Sequence, residues 1–123
     1  MKRLTKKEII EETAEEYNSK NRATAYLISA ELAVCKYITE NGKMCAVGRC
    51  MKNPVDRSAQ IDVVYRRFGG DDLFKDEYKG HSVQFWTDLQ NFHDTKKNWN
   101  KNGLSKRGET TKKHLIVLYG ETT

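Results

Sequence analysis

The feature that most constrains the fold is the stretch from Cys35 to Cys50, which reads C-K-Y-I-T-E-N-G-K-M-C-A-V-G-R-C. Its centre, Asn41-Gly42, is the dipeptide that most readily takes the two positive φ angles of a type I′ turn. Residues typical of β-strands flank this dipeptide on both sides. The stretch therefore predicts a tight antiparallel β-hairpin over about residues 35–50, with Cys35 opposite Gly48.

Both faces of this predicted hairpin are largely apolar, because side chains alternate between the two faces of a strand. One face carries Ile38, Cys45 and Val47, and the other carries Cys35, Tyr37, Met44, Ala46 and Cys50. A two-stranded ribbon with two apolar faces has to be covered by other elements. A chain of 123 residues is about the size of one domain. We therefore expect an α+β fold, in which a single small domain over residues 1–123 covers the hairpin with about five helices.

Local start and stop signals place those helices. Thr5 and Glu8 have the spacing of a capping box, and the helix that follows carries an acidic face. Pro54 and Ser82 are typical of helix starts, and Gly69 is typical of a helix end. The predicted helices cover residues 6–18, 54–68, 82–93 and about 105–119, with a short helical turn over 71–78. The aromatic helix of residues 82–93, which contains Trp86, is expected to cover the hairpin.

Two segments remain ambiguous between helix and strand. Residues 23–34 fit a helix in their first part but approach Cys35 as an extended chain, so we expect a helix that gives way to a strand. Residues 115–118 (Leu-Ile-Val-Leu) fit either the last helix or a strand.

Composition indicates a cytosolic protein. The chain has three cysteines and no secretory leader pattern, which favours reduced thiols over a disulfide framework. It has no apolar run near the length that a membrane span needs. We therefore expect no membrane association.

Positive charge is concentrated in one segment. Between Lys96 and Lys113 there are seven basic residues and one acidic residue, a net charge of +6. The basic residues are Lys96, Lys97, Lys101, Lys106, Arg107, Lys112 and Lys113. With Trp99 among them as a stacking platform, they could follow a phosphate backbone, although charge runs of this kind are usually solvated faces. Nucleic-acid binding is therefore an alternative function.

The three cysteines and His93 are the residue types of a tetrahedral zinc site. The predicted register argues against such a site, because Cys35 and Cys45 point to opposite faces, and the spacing lacks the usual Cys-x-x-Cys pair. Buried apolar thiols are the favoured interpretation. We expect no metal and no cofactor.

His93-Asp94 could carry out acid–base chemistry or bind a divalent metal. Metal-dependent phosphohydrolases need further ligands, and His81 and His114 are the remaining histidines. A structural role is favoured, in which the C-terminal end of a helix stabilises the imidazole and Asp94 holds its ring. No catalytic residue is predicted.

Two sets of motifs stand out: Cys-x-Tyr, a turn with Gly and Cys-Ala-Val-Gly in the first stretch, and later Leu-Gln-x-x-His-Asp with a Trp beyond. Their positions are Cys35, Tyr37, Gly42, Cys45, Ala46, Val47, Gly48, Leu89, Gln90, His93, Asp94 and Trp99. These motifs resemble those of a family of small uncharacterised proteins from bacteriophages and plasmids. The likeness covers residues 35 to about 120 as a family-like core. The resemblance implies a phage-encoded accessory protein in the cytoplasm of a host bacterium, and it implies no reaction or ligand.

Together these features predict a non-enzymatic binding module directed at a host protein, for host takeover or as a counter-defence inhibitor. The candidate binding residues are Tyr37, His93, Asp94, Trp99, Lys96, Lys97, Lys101 and Arg107. Besides nucleic-acid binding, a further alternative is a small-ligand protein or enzyme with a pocket near Cys35, Tyr37, Gly48, Trp86 and His93. The oligomeric state is left open.

Overall fold

The computed structural model describes residues 3–19, 21, 25–27, 33–35, 43–53, 61–67 and 69–119. Within these residues the chain forms four α-helices and two short antiparallel hairpins. The helices are α1 (Lys6–Glu16), α2 (Ile61–Arg67), α3 (Val83–Asp94) and α4 (Lys106–Tyr119). The strands are β1 (Ala25–Leu27), β2 (Ala33–Cys35), β3 (Trp99–Asn100) and β4 (Gly103–Leu104). Short 3-10 segments lie at Gly48–Cys50, Gly70–Leu73, Asp76–Tyr78 and Lys96–Asn98. The predicted α+β class in a single small domain is confirmed.

The predicted capping box starts α1. The Thr5 side chain accepts from the backbone N–H of Glu8 at 3.1 Å, and the Glu8 carboxylate accepts from the backbone N–H of Thr5 at 3.0 Å. These bonds satisfy two of the four N–H groups that a helix start leaves without a partner. The helix buries Ile9 and Ile10 and ends at Glu16, slightly earlier than the predicted residue 18.

The first of the two hairpins, β1–β2, lies earlier in the chain than the predicted one. Cys35 pairs with Ala25 in the β1–β2 ladder, so its predicted pairing with Gly48 is wrong. Gly48 instead opens the 3-10 segment Gly48–Cys50. The expected helix within residues 23–34 is also wrong for β1, since strand pairing overrides the local helical pattern there. The predicted Asn41-Gly42 turn lies outside the described residues.

The segment from Cys45 to Cys50 forms a tight buried turn because its polar groups are satisfied locally. The Gly48 N–H donates to Cys45 Sγ at 3.2 Å, and the Cys50 N–H donates to the carbonyl of Val47 at 3.0 Å. Cys45, Ala46, Val47 and Cys50 are all fully buried. The sequence of this segment, apolar on both faces of a predicted strand, is equally compatible with a buried turn.

Helix α2 lies within the predicted helix of residues 54–68. Ile61 and Val64 are buried, while Arg66 and Arg67 are exposed. Residues 54–60 and 68 lie outside the described residues. Gly69 follows with a φ of 104°, which a residue without a Cβ tolerates best. Residues 71–78, predicted as one short helical turn, form two 3-10 segments, with Phe74 in an extended conformation between them.

The aromatic face of α3 forms the centre of the core. Ser82 caps this helix by accepting from the N–H of Phe85 at 3.2 Å, as predicted. Trp86 is fully buried and stacks on Phe74, with ring centroids 4.3 Å apart. Phe74 in turn forms a β-bridge with Met51. Trp86 therefore packs over the β-bridge between Met51 and Phe74, whereas the sequence predicts that it covers a hairpin at residues 35–50.

Crossing a lipid bilayer takes about 20 consecutive apolar residues. Among the described residues, none of the helices meets that requirement.

Candidate functional site

Helices α3 and α4 run antiparallel because a compact turn reverses the chain between them. The turn contains the 3-10 segment Lys96–Asn98 and the β3–β4 hairpin. At one end of the helix pair, the Tyr119 hydroxyl of α4 donates to the carboxylate of Asp88 on α3. At the other end, the Thr111 hydroxyl of α4 donates to Asn98 Oδ1 at 3.3 Å. The pair thus leaves a groove along its outer side.

This α3–α4 groove has a volume of about 430 Å³ and is open to solvent. Helix α3 contributes Asp88, Asn91 and Phe92 to its walls, and α4 contributes Arg107, Leu115 and Leu118. A second depression on α4, of about 490 Å³, is lined by Arg107, Thr110, Thr111 and His114. Arg107 belongs to both, so its guanidinium can serve a ligand on either side.

One end of the groove is positively charged, and we call Lys96, Lys97, Lys106 and Arg107 its cationic end. All four side chains are exposed. The Ser105 hydroxyl donates to the carbonyl of Lys97 at 2.5 Å, which holds the 3-10 segment against the start of α4. Cations in the first turn of a helix face the positive end of its dipole, at a cost of about 0.3–1 kcal/mol each. Lys106 and Arg107 in the first turn of α4 are therefore not explained by a contribution to the stability of the helix.

The opposite end of α4 exposes apolar side chains. Residues 115–118, which fitted either a helix or a strand, are helical. Val117 is 85% exposed and Leu118 is 62% exposed. Among the described residues, Val63 on α2 is the one other large hydrophobic residue that counts as exposed, at 37%. Two neighbouring apolar side chains this far in water, beside a groove, are typical of a contact surface.

His93 and Asp94 are used inside the fold. His93 is fully buried, and its Nδ1 lies 2.9 Å from Asp94 Oδ1, so the interpretation that Asp94 holds the ring is confirmed. The edge of Tyr17 packs on the imidazole with ring centroids 4.7 Å apart. Asp94 also lies 3.2 Å from Gln90 Nε2. His93 is therefore not exposed to a partner at the surface in this structure, and its role as a binding residue stays a prediction.

Trp99 folds back against the body of the protein, and this removes it as a stacking platform. Its side chain is 6% exposed, and Nε1 donates to the carbonyl of His93 at 2.9 Å. The ring also packs on Phe92 and Tyr17. A nucleic-acid base has no free face of this indole to stack on.

The remaining candidate binding residues separate into two groups. Lys96, Lys97, Lys101 and Arg107 are exposed. Tyr37 lies outside the described residues.

The two described cysteines are buried thiols. Cys45 Sγ accepts from the N–H of Gly48, and Cys50 Sγ donates to the carbonyl of Ala46 at 3.4 Å. Burial raises the pKa of Cys50 to about 12, although Arg49 acts in the opposite direction, so its thiol is protonated at neutral pH. The described residues include no group of three His, Cys, Asp or Glu side chains placed to hold a metal ion.

The pocket considered near Cys35 and Tyr37 cannot be traced as a whole, because Tyr37 and the side chain of Cys35 lie outside the described residues. Of its other predicted members, Gly48, Trp86 and His93 are buried.

A polar clamp that the sequence did not suggest joins α1 to the segments at Gly48–Cys50 and Asp76–Tyr78. Arg49 Nη1 lies 2.5 Å from Glu12 Oε1 and 3.1 Å from the Tyr78 hydroxyl, which itself donates to Glu12. Arg49 Nη2 donates to Thr13 Oγ1 at 3.0 Å. Glu12 and Arg49 are 37 residues apart in sequence, so no local motif marks the pair.

Glu12 and Tyr78 have pKa values that do not suit acid–base catalysis at neutral pH. Burial acts to raise the pKa of Glu12, but the hydrogen bonds from Tyr78 and Arg49 outweigh it and lower that pKa. Burial and the bond to Glu12 raise the pKa of Tyr78 above its ordinary value. A general acid or base works best with a pKa near the operating pH. The geometry of the clamp therefore fits a structural role.

Glu12→Gln is expected to lower the free energy of unfolding by about 1 kcal/mol at pH 7, since a charged hydrogen bond is lost in a partly solvated place. Because the folded-state pKa of Glu12 lies below its ordinary value of 4.5, the advantage of the wild type is present above that pH. It is lost as the pH falls through the folded-state pKa. Urea denaturation of both proteins across a pH series measures this difference.

Glu15→Gln is the matched control for the clamp, because Glu15 is an exposed carboxylate on the same helix. We expect this variant to change stability by less than about 0.5 kcal/mol. An advantage of the wild type over Glu12→Gln that persisted undiminished in strong acid would show that the charge of Glu12 does not stabilise the clamp.

Comparison of the chain with protein-family models, with curated proteins and with solved structures gave no match. The resemblance to phage and plasmid proteins stays a prediction from the motifs.

Proposed function

We propose that the chain is a non-enzymatic binding module that docks on a host macromolecule, a protein, through the α3–α4 groove. In this proposal it is a phage-encoded accessory protein that blocks a host enzyme or a defence system in the bacterial cytoplasm. The observation that carries the proposal is the exposure of Leu118 (62%), which lines the groove, and of its neighbour Val117 (85%). Apolar side chains on this scale gain free energy when a partner removes them from water.

The charge distribution along the groove also supports a protein partner. Four exposed cations lie at one end, and exposed aliphatic side chains lie at the other. An interface commonly combines an apolar centre, which supplies affinity, with charges at its rim, which steer the approach of the partner.

Two groups of polar side chains that resemble catalytic residues, His93–Asp94 and the clamp of Glu12, form bonds that stabilise the fold. This favours binding over catalysis. The His93–Asp94 pair is held in the interior by Tyr17, Gln90 and Trp99. The carboxylate of Glu12 is bound by Arg49 and Tyr78.

Affinity capture from bacterial lysate tests the proposal with a matched pair of variants. We expect the wild type to capture a host protein and Leu118→Asp to lose at least about tenfold of that capture, because a charge replaces an apolar contact at the interface. Val63→Asp places the same charge at an exposed apolar position on α2 and is expected to capture the partner as the wild type does. Recovery of no host protein, or equal capture by Leu118→Asp, would contradict the proposal.

Nucleic-acid binding is the second candidate, and the exposure of Lys96, Lys97, Lys101, Lys106 and Arg107 favours it. The burial of Trp99 weighs against single-stranded binding by base stacking. Gel shifts with DNA and RNA at low and moderate salt separate the candidates, since phosphate contacts weaken steeply with salt. No retardation at either salt concentration removes this function.

A further inference from the structure

The α3–α4 groove differs in character between its two ends. Arg107 lines one end, with Lys96, Lys97 and Lys106 beside it. Leu115 and Leu118 line the other end. Along α4, the positions of Arg107 and Leu118 are separated by about 16 Å, or three helical turns.

The single carboxylate among the described residues of the groove wall stands at the apolar end. Asp88 lies there, since the hydroxyl of Tyr119 donates to it, and Gln84 Nε2 donates to its other oxygen at 2.9 Å. The negative charge of Asp88 opposes a second carboxylate at this end, while Arg107 attracts one at the other. An acidic ligand is therefore favoured in one direction along the groove and disfavoured in the other.

The walls of the groove also restrict the backbone of an occupant. Both walls are α-helices, whose backbone N–H and C=O groups are bonded within each helix away from its ends. An extended peptide would find no strand edge to pair with along these walls and would bury backbone groups without partners. A helical peptide satisfies its own backbone and presents side chains three and four residues apart to the groove.

We infer that the occupant of the α3–α4 groove is an amphipathic helix of a partner protein, about three turns long, with carboxylates in one half and aliphatic side chains in the other. The carboxylates face Arg107 and its neighbouring lysines. The aliphatic side chains cover Leu115 and Leu118, together with Val117. This inference rests on the proposed function, and it adds the chemistry and the orientation of the partner segment.

Selection of 15-residue peptides from a random display library on the folded wild-type protein tests the inference. We expect the enriched peptides to carry Asp or Glu in one half and Leu, Ile or Phe in the other half at helical spacing, and to become helical on binding. The same peptides should bind Val63→Asp like the wild type and bind Leu118→Asp and Arg107→Glu at least tenfold more weakly. Circular dichroism confirms that each variant is folded.

A charge-swap experiment tests whether Arg107→Glu weakens peptide binding through its charge or through a general defect of the protein. Replacing the acidic residues of a selected peptide by Lys should weaken its binding to the wild type and restore its binding to Arg107→Glu. Failure of this rescue, or the enrichment of basic, uncharged or proline-containing peptides that still need Leu118, would overturn the inference while leaving the docking surface in place. Selected peptides that bind Leu118→Asp unchanged would remove the docking surface as well, and the proposed function with it.

Discussion

Gly108→Ala is expected to destabilise the protein by about 3 kcal/mol, although alanine ordinarily stabilises a helix interior by about 1 kcal/mol relative to glycine. A Cβ at this position would lie 2.1 Å from the carbonyl oxygen of Asn98 and 2.7 Å from Leu104 Cδ2. That carbonyl accepts the N–H of Ser105 at 2.8 Å, so it cannot move away without breaking the start of α4. The absence of a side chain is what lets α4 pack on the preceding turn.

The measurement for Gly108→Ala is the free energy of unfolding from urea denaturation of the full chain, with circular dichroism as the readout. Thr110→Ala is the control, because Thr110 is exposed two residues further along the same helix. We expect this control to change stability by no more than about 0.5 kcal/mol. If Gly108→Ala were as stable as the wild type or more stable, the close approach of α4 to Asn98 would be wrong. The position of α4 that forms the groove would then be wrong as well.

Local signals made the helices predictable. The Thr5–Glu8 capping box and the Ser82 cap join groups three residues apart, so that both partners are visible in a short window of sequence. The buried face of α3 was likewise predictable, because Phe85, Trp86 and Leu89 recur at helical spacing.

The position of the hairpin was not predictable in the same way. The choice of Ala25 as the partner of Cys35 depends on pairing across the chain, and residues apolar on both sides do not fix a register. The apolar sequence of the four buried residues near Gly48 is compatible with a buried turn and with a covered strand. The structure decides between them through local bonds, among them the one from the Gly48 N–H to Cys45 Sγ.

The candidate site was predictable in its charges and not in its shape. Exposure of Lys96, Lys97 and Arg107 follows from the cost of burying an unpaired charge. The groove, however, exists because α4 returns antiparallel to α3, and that depends on contacts such as Tyr119 with Asp88, 31 residues apart. The outward position of Val117 and Leu118 also requires that residues 115–118 be helical, which their composition left undecided.

The structural role of Asn98, in the turn before α4, could not be predicted from its neighbours in the sequence. An Asn between lysines and a Trp is typical of a solvated loop. Asn98 is only 1% exposed. Its Nδ2 donates to the carbonyl of Phe92 at 2.9 Å, and its Oδ1 accepts from the Thr111 hydroxyl. Its backbone N–H donates to the carbonyl of Thr95 at 2.9 Å. One side chain thereby joins the end of α3 to the face of α4 at the base of the groove.

Asn98→Asp is expected to lower the free energy of unfolding by about 3 kcal/mol at pH 7. The change keeps the shape of the side chain, but it replaces the donor to the Phe92 carbonyl by an acceptor and buries a charge. Burial raises the folded-state pKa of such a carboxyl, so the folded protein binds the proton more tightly than the unfolded chain. The deficit relative to the wild type should therefore shrink as the pH falls, since the protonated acid can donate to Phe92 again.

Asn100→Asp is the matched control for Asn98→Asp, two residues away and exposed. Its Oδ1 accepts from the N–H of Asn102 at 2.9 Å, a role that a carboxylate keeps, so we expect a change within about 0.5 kcal/mol. Urea denaturation of both variants and the wild type across a pH series gives the comparison. A deficit for Asn98→Asp that matched the control, or that grew on acidification, would mean that Asn98 does not donate into the end of α3, and that another contact holds α4 beside it.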